Sequence, residues 1–234
     1  MIPLDSPQWR ELIDAYGPAT HIPGIVRRVV EGSASISELY DAFALIERRA
    51  ATDGALAVVP HLWAAAATED AAHRIDLLTF IGRVAYAADG PFEGGAPIAA
   101  AARADLASTP AENVLDLVLA ILAIDDCQVM YDTVDALRGG GFEVRCSGDV
   151  CGVEIMVHDR VAHVDEDTTA IIPGTLPASG TTDRDAIGDI VRSLVAAGHP
   201  EIAADLAVIA GTIVCPTCGE TFRVLDELLD PTLF

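Results

Sequence analysis

The sequence predicts a mainly α-helical protein, with a long N-terminal run of paired helices followed by a small C-terminal α+β domain. Three observations carry that prediction. Apolar residues make up 51% of the 234-residue chain and aromatics only 5%; a diet of Ala, Val, Leu and Ile favours packed helices over sheets. Through residue 138, apolar positions recur at three- and four-residue spacing in one segment after another. After Gly139-Gly140-Gly141 they alternate instead, which is the period of a strand. The expected domains are therefore residues 1–138 and 139–234.

The first helix is expected from Ser6-Pro7, an N-cap followed by proline in the first turn, with Trp9, Leu12, Ile13 and Tyr16 on one face and Gly17-Pro18 as the stop. A second spans about 22–30 and ends at Glu31-Gly32. Ser35 or Ser37 caps a third that runs to about residue 49, with Leu39, Phe43 and Ile46 buried. Asp53-Gly54 opens a fourth, to about residue 67. Asp70 caps a long fifth, to about residue 88, whose buried stripe is Ile75, Leu78 and Ile81. The loop from Asp89 to Gly95 leads to a helix over about 97–106. Thr109-Pro110 caps the next, with Val114, Leu117, Val118, Ile121 and Leu122 on its face. Asp125 or Asp126 starts the last, which stops at the glycine triplet.

Helix pairs thus begin near Ser35, Asp70 and Pro110, a spacing of about 35–40 residues. In Trp9-Arg10-Glu11-Leu12-Ile13-Asp14-Ala15-Tyr16-Gly17 and Ala57-Val58-Val59-Pro60-His61-Leu62 the first 138 residues resemble the HEAT-like repeat proteins of bacteria. Pro60, inside an apolar helix, looks like the kink common in such repeats. The resemblance implies an α-solenoid that presents an extended surface to other proteins. It implies no activity.

In the C-terminal part, Phe142-Glu143-Val144-Arg145-Cys146 and Val153-Glu154-Ile155-Met156-Val157 alternate as strands do, and 161–164 is a candidate third. A loop from Ile172 to Thr182 precedes a helix capped by Asp183 that runs to about residue 197. Gly198-His199-Pro200 then turns into another helix ending near Ala210-Gly211. Short strands over 212–214 and 221–224 flank Cys215-Pro216-Thr217-Cys218-Gly219.

Four of the five cysteines form two close pairs, Cys146/Cys151 and Cys215/Cys218. Two such pairs supply the opposite edges of a tetrahedral four-thiolate zinc site. The segment Val214–Val224 is similar to half of a zinc ribbon, a strand, a knuckle and a strand, with Gly219 allowing the positive φ of the turn. Cys146-Ser147-Gly148-Asp149-Val150-Cys151 has four intervening residues where two are usual, and 63 residues separate the pairs, so a helical insertion must fold between them. The expected ligands of a structural zinc ion are Cys146, Cys151, Cys215 and Cys218. A ribbon that has lost its metal is one alternative. A redox pair at Cys215-Pro216-Thr217-Cys218 is another, although the strand-like Phe222-Arg223-Val224 stands where an oxidoreductase would place a helix. His158 and His163 are substitute ligands should a cysteine lie outside the site.

No other group of residues forms a catalytic signature. Cys127 reads as a helix-packing residue. His21, His61, His73 and His199 are scattered, Asp165-Glu166-Asp167 reads as a solvated turn, and no glycine-rich phosphate loop follows a strand. The chain carries 36 acids against 14 basic residues, all arginine, for a net charge of −22. Each half, 1–138 and 139–234, is net −11. Neither offers the cationic surface that nucleic-acid binding requires. No apolar stretch is long enough to span a membrane, and the first residues lack the pattern of a signal peptide, so a reducing cytoplasm is expected. The expectation is a non-enzymatic, cytoplasmic protein-binding or adaptor protein with a structural zinc site. One version is an inhibitor or immunity protein that neutralises a basic partner such as a nuclease. A zinc- or thiol-dependent enzyme is the contrasting class.

Overall fold

The computed structural model describes residues 1–44, 51–88, 91–148, 151–158, 161–165, 168–171 and 186–228. It is mainly helical, with two small sheets in its C-terminal part. The chain divides into two compact units at Asp126/Cys127, ahead of the glycine triplet where the texture of the sequence changes.

The N-terminal unit does not open with the expected helix. Ser6 does cap a turn, its hydroxyl accepting from the Gln8 N–H, but the turn is a single 3₁₀ segment, Pro7–Arg10. Trp9 is buried and its indole N–H donates to the Pro3 carbonyl, while Ile13 and Tyr16 are exposed. The competing interaction is local: Asp14 Oδ1 accepts the backbone N–H groups of Tyr16 and Gly17, an Asx turn that uses amides a helix would need. Gly17, at φ +145°, completes it.

Helices then follow in the expected order: α1 (Ile22–Val30), α2 (Ser37–Phe43), α3 (Asp53–Ala66), α4 (Ala71–Ala87), α5 (Ala96–Asp105) and α6 (Ala111–Ile124). The α2 helix is cut short at Ala44, which adopts the left-handed conformation; Ile46 lies outside the described residues. Thr52 caps α3, and Asp70 caps α4 through the N–H groups of Ala72 and His73. Pro60 sits inside α3. Thr109 does not cap α6; its hydroxyl donates to the Asp105 carbonyl at the end of α5.

The core of this unit is the packing of α4 against α3 and α6, with α5 also against α6. Leu77, Leu78, Phe80, Ile81 and Val84 from α4 meet an α6 whose residues 117–124 are all buried. Gly82 permits the approach: a Cβ there would stand 2.3 Å from the Ala120 Cα. No described helix is long and apolar enough to cross a membrane.

The second unit begins with α7 (Gln128–Arg138), preceded by Asp126 at φ +61°. An antiparallel meander follows: β1 (Phe142–Arg145), β2 (Glu154–His158), β3 (Val161–Asp165) and β4 (Thr168–Ile171), paired in sequence order. The fourth strand is absent from the expectation, because its four residues show too little alternation to register. The expected loop from Ile172 to Thr182 and the cap at Asp183 lie outside the described residues. Two helices, α8 (Ala186–Ala197) and α9 (Pro200–Ala207), pack on each other. A hairpin of β5 (Thr212–Val214) and β6 (Thr221–Arg223) comes next, and α10 (Val224–Leu228) leaves β6 and packs against β1. Phe142, Val144, Ile155, Val157 and Ala162 are the buried sheet residues; Ile187, Val191, Leu194, Leu206, Ile213 and Leu225 are also buried in this unit.

Candidate metal centre

Each cysteine pair is placed by a tight turn at the end of a hairpin. Cys146 follows β1, and its backbone N–H donates to the Val153 carbonyl, extending the β1–β2 ladder by one step. The connection then tightens through the Cys151 N–H bonded to the Gly148 carbonyl, with Gly152 at φ +56°. On the other hairpin the Cys215 N–H donates to the Glu220 carbonyl, and the Gly219 N–H returns to the Cys215 carbonyl. Gly219, at φ +79°, supplies the left-handed residue that the knuckle requires.

The two turns bring all four sulfurs together, within 4.8 Å of one another. The shortest described approaches run between the pairs: Cys146 Sγ to Cys218 Sγ is 3.5 Å, and Cys151 Sγ to Cys215 Sγ is 3.8 Å. These are free thiols, far from the roughly 2.05 Å of a disulfide. Sulfurs held at about 2.3 Å around a tetrahedral zinc ion would be about 3.8 Å apart. The donor set and its spacing therefore fit a four-thiolate ion. Cys146 and Cys215 are buried, Cys151 is half-buried and Cys218 is exposed, so the centre lies at the edge of the unit.

The electrostatics of the cluster are those of sulfurs competing for protons. Burial pushes Cys146 up to about 12, against the Gly148 N–H that donates to its sulfur at 3.4 Å; the other three thiols add to the rise. Cys151 is also raised: its hydrogen bond from Val153 lowers it, but burial and the Cys218 and Cys215 thiols outweigh that. Cys215 goes the other way. Burial pushes it up, yet the backbone N–H groups of Cys218 and Thr217, with the Cys146 and Cys218 thiols, bring it down to about 7. One thiolate is thus stabilised by backbone amides, while Cys146 and Cys151 hold protons that a cation would displace.

Gly148 belongs to this site although the sequence offered no signal for it. A Cβ there would come 3.2 Å from the Cys218 sulfur and 3.5 Å from that of Cys146. The longer spacing of the first cysteine pair accommodates this glycine against the sulfurs. The substitute ligands lie elsewhere: His158 and His163 stack on each other across β2 and β3 at 4.5 Å, and the cysteine cluster includes neither. Cys127 immediately precedes α7 and is likewise outside the cluster. No family model, curated protein or solved structure matches the chain.

Proposed function

We propose that the four cysteines hold a structural zinc ion and that the protein is a non-enzymatic, cytoplasmic protein-binding or adaptor protein. On this reading the helical unit is a HEAT-like solenoid, and the second unit is a zinc-ribbon-like domain with a helical insertion. The observation that carries the proposal is the mutual approach of four sulfurs from two knuckle turns. Four thiolates close a tetrahedral shell and leave no position for an activated water, so the ion would staple the unit instead of reacting. Thiolate tetrahedra accept zinc or iron. Elemental mass spectrometry with a visible absorption spectrum distinguishes them: one zinc per chain and a colourless protein are expected. Iron, or no metal in freshly isolated protein, would overturn the assignment.

The binding half of the proposal rests on the helical unit and on a net charge of −22, which favours a basic partner. A nuclease-neutralising inhibitor is the specific version that this charge supports. Capture from native lysate at low and high salt tests it. One stoichiometric basic protein, released by high salt, is the expected outcome. A partner retained equally at both salts would remove the electrostatic argument, and a clean bait would remove the binding reading.

A further inference from the structure

The N-terminal unit carries a second candidate site, unrelated to the cysteines. The Pro7–Arg10 turn and the first turn of α1 flank an open cleft of about 610 Å³. That volume lies in the range of small-molecule sites, about 300–1,000 Å³. Leu4, Pro7 and Pro23 give it apolar wall, while Arg10, His21 and Arg27 bring cationic or donor groups.

The arginines are the informative part. In a chain with 36 acids, carboxylates that could pair with a guanidinium are plentiful. Within this unit Arg28 pairs with Glu38, Arg74 with Asp105 and Arg103 with Asp125. Arg10 and Arg27 have no carboxylate partner among the described residues, and both line this one cleft. His21 stands beside them, its Nδ1 3.4 Å from Oδ2 of Asp14. Asp14 is buried, and with Oδ1 committed to the Tyr16 and Gly17 amides, its Oδ2 has no hydrogen bond of its own. The His21 Nδ1 thus lies at ion-pair range of a buried carboxylate oxygen, and His21 itself lines the cleft. Asp5 lies on the exposed rim of the same lining.

We propose that this cleft binds a phosphate-bearing small molecule, with Arg10 and Arg27 clamping the phosphate and His21 as a third donor. Two guanidinium forks match the several oxygens of a phosphate dianion better than the two of a carboxylate. The positive end of the α1 dipole adds to the attraction, since Thr20, His21, Pro23 and Gly24 line the same wall. The overall negative charge does not forbid this. Charges beyond about 8 Å are largely screened at physiological salt, whereas the two arginines act at contact.

Calorimetric titration of the full chain with phenyl phosphate tests the proposal, with benzoate as the carboxylate arm. Saturable one-to-one binding of phenyl phosphate is expected, tighter than that of benzoate. Arg10→Ala and Arg27→Ala should each weaken it by about tenfold or more. Arg28→Ala makes the same change in net charge one residue along the helix and should alter it by less than about twofold. Circular dichroism checks each variant, and Arg10→Gln and Arg27→Gln replace any that misfolds. Absence of saturable binding, equal weakening by Arg28→Ala, or benzoate binding as tightly as phenyl phosphate would each overturn the proposal.

Discussion

Cys215 is the thiol on which the proposed zinc site turns, being buried, facing Cys151 at 3.8 Å and held down to about 7 by backbone amides. Replacing its sulfur with a hydroxyl removes the ligand most ready to be a thiolate. Cys215→Ser should abolish stoichiometric zinc and melt the second unit, because a structural thiolate site contributes folding free energy directly. The helical unit should keep its far-UV signal. Cys127→Ser, outside the cluster, should leave zinc content unchanged. Metal analysis with circular dichroism reads both variants, and loss of both units in Cys215→Ser would show that the two fold as one. The four cysteines that the structure gathers were legible in the sequence because thiol pairs are rare and their spacing is short. Gly148 was not, since its role depends on the Cys218 sulfur, which arrives from 70 residues further along the chain.

Among the elements, α4 and α6 show packing overriding propensity. An exposed Gly→Ala change inside a helix would gain about 1 kcal/mol. At Gly82 the added methyl would lie 2.3 Å from the Ala120 Cα and 2.4 Å from its Cβ, so the helices must separate. Overpacking costs of about 1–3 kcal/mol exceed the propensity gain. Gly82→Ala should therefore lower the thermal midpoint of the helical unit, and an unchanged or raised midpoint would contradict the close approach. The long, capped helices were legible from their caps and apolar stripes, as with Asp70 and the Ile75, Leu78, Ile81 face of α4. The segment after Ser6 departs from the helix its sequence predicts, because four apolar residues at helical spacing say nothing about the carboxylate between them. Asp14 turns the chain before a second helical turn can form.

At the scale of the whole molecule, the zinc proposal makes the second unit's stability depend on pH with a definite sign. Loading strips protons from thiols that otherwise keep them, Cys146 above all, which is held up to about 12 without metal. The unfolded chain carries those thiols mostly protonated below about pH 8.5, so it binds more protons than the folded, loaded one. Stability of the loaded unit then rises with pH in that range and is lost as pH falls. Thermal melts at fixed zinc should show the second unit unfolding at lower temperature at about pH 5.5 than at about pH 7.5. A midpoint that does not move would exclude metal-linked folding.

The sequence by itself determined the helical class, the change to strands after residue 138, the acidic character and the identity of the four thiols. Each of these depends on residues near one another in the chain, where periodicity, caps and spacing act directly. Tertiary structure decided what depends on distant residues meeting. It assigned α7 to the second unit, brought the four cysteine sulfurs within 4.8 Å of one another, and set Gly82 against Ala120. It also left Arg10 and Arg27 without a described carboxylate on one cleft, whereas Arg28 found Glu38. Which charge meets which, and which sulfur faces which, follows from the packing of whole elements, and no local pattern encodes it.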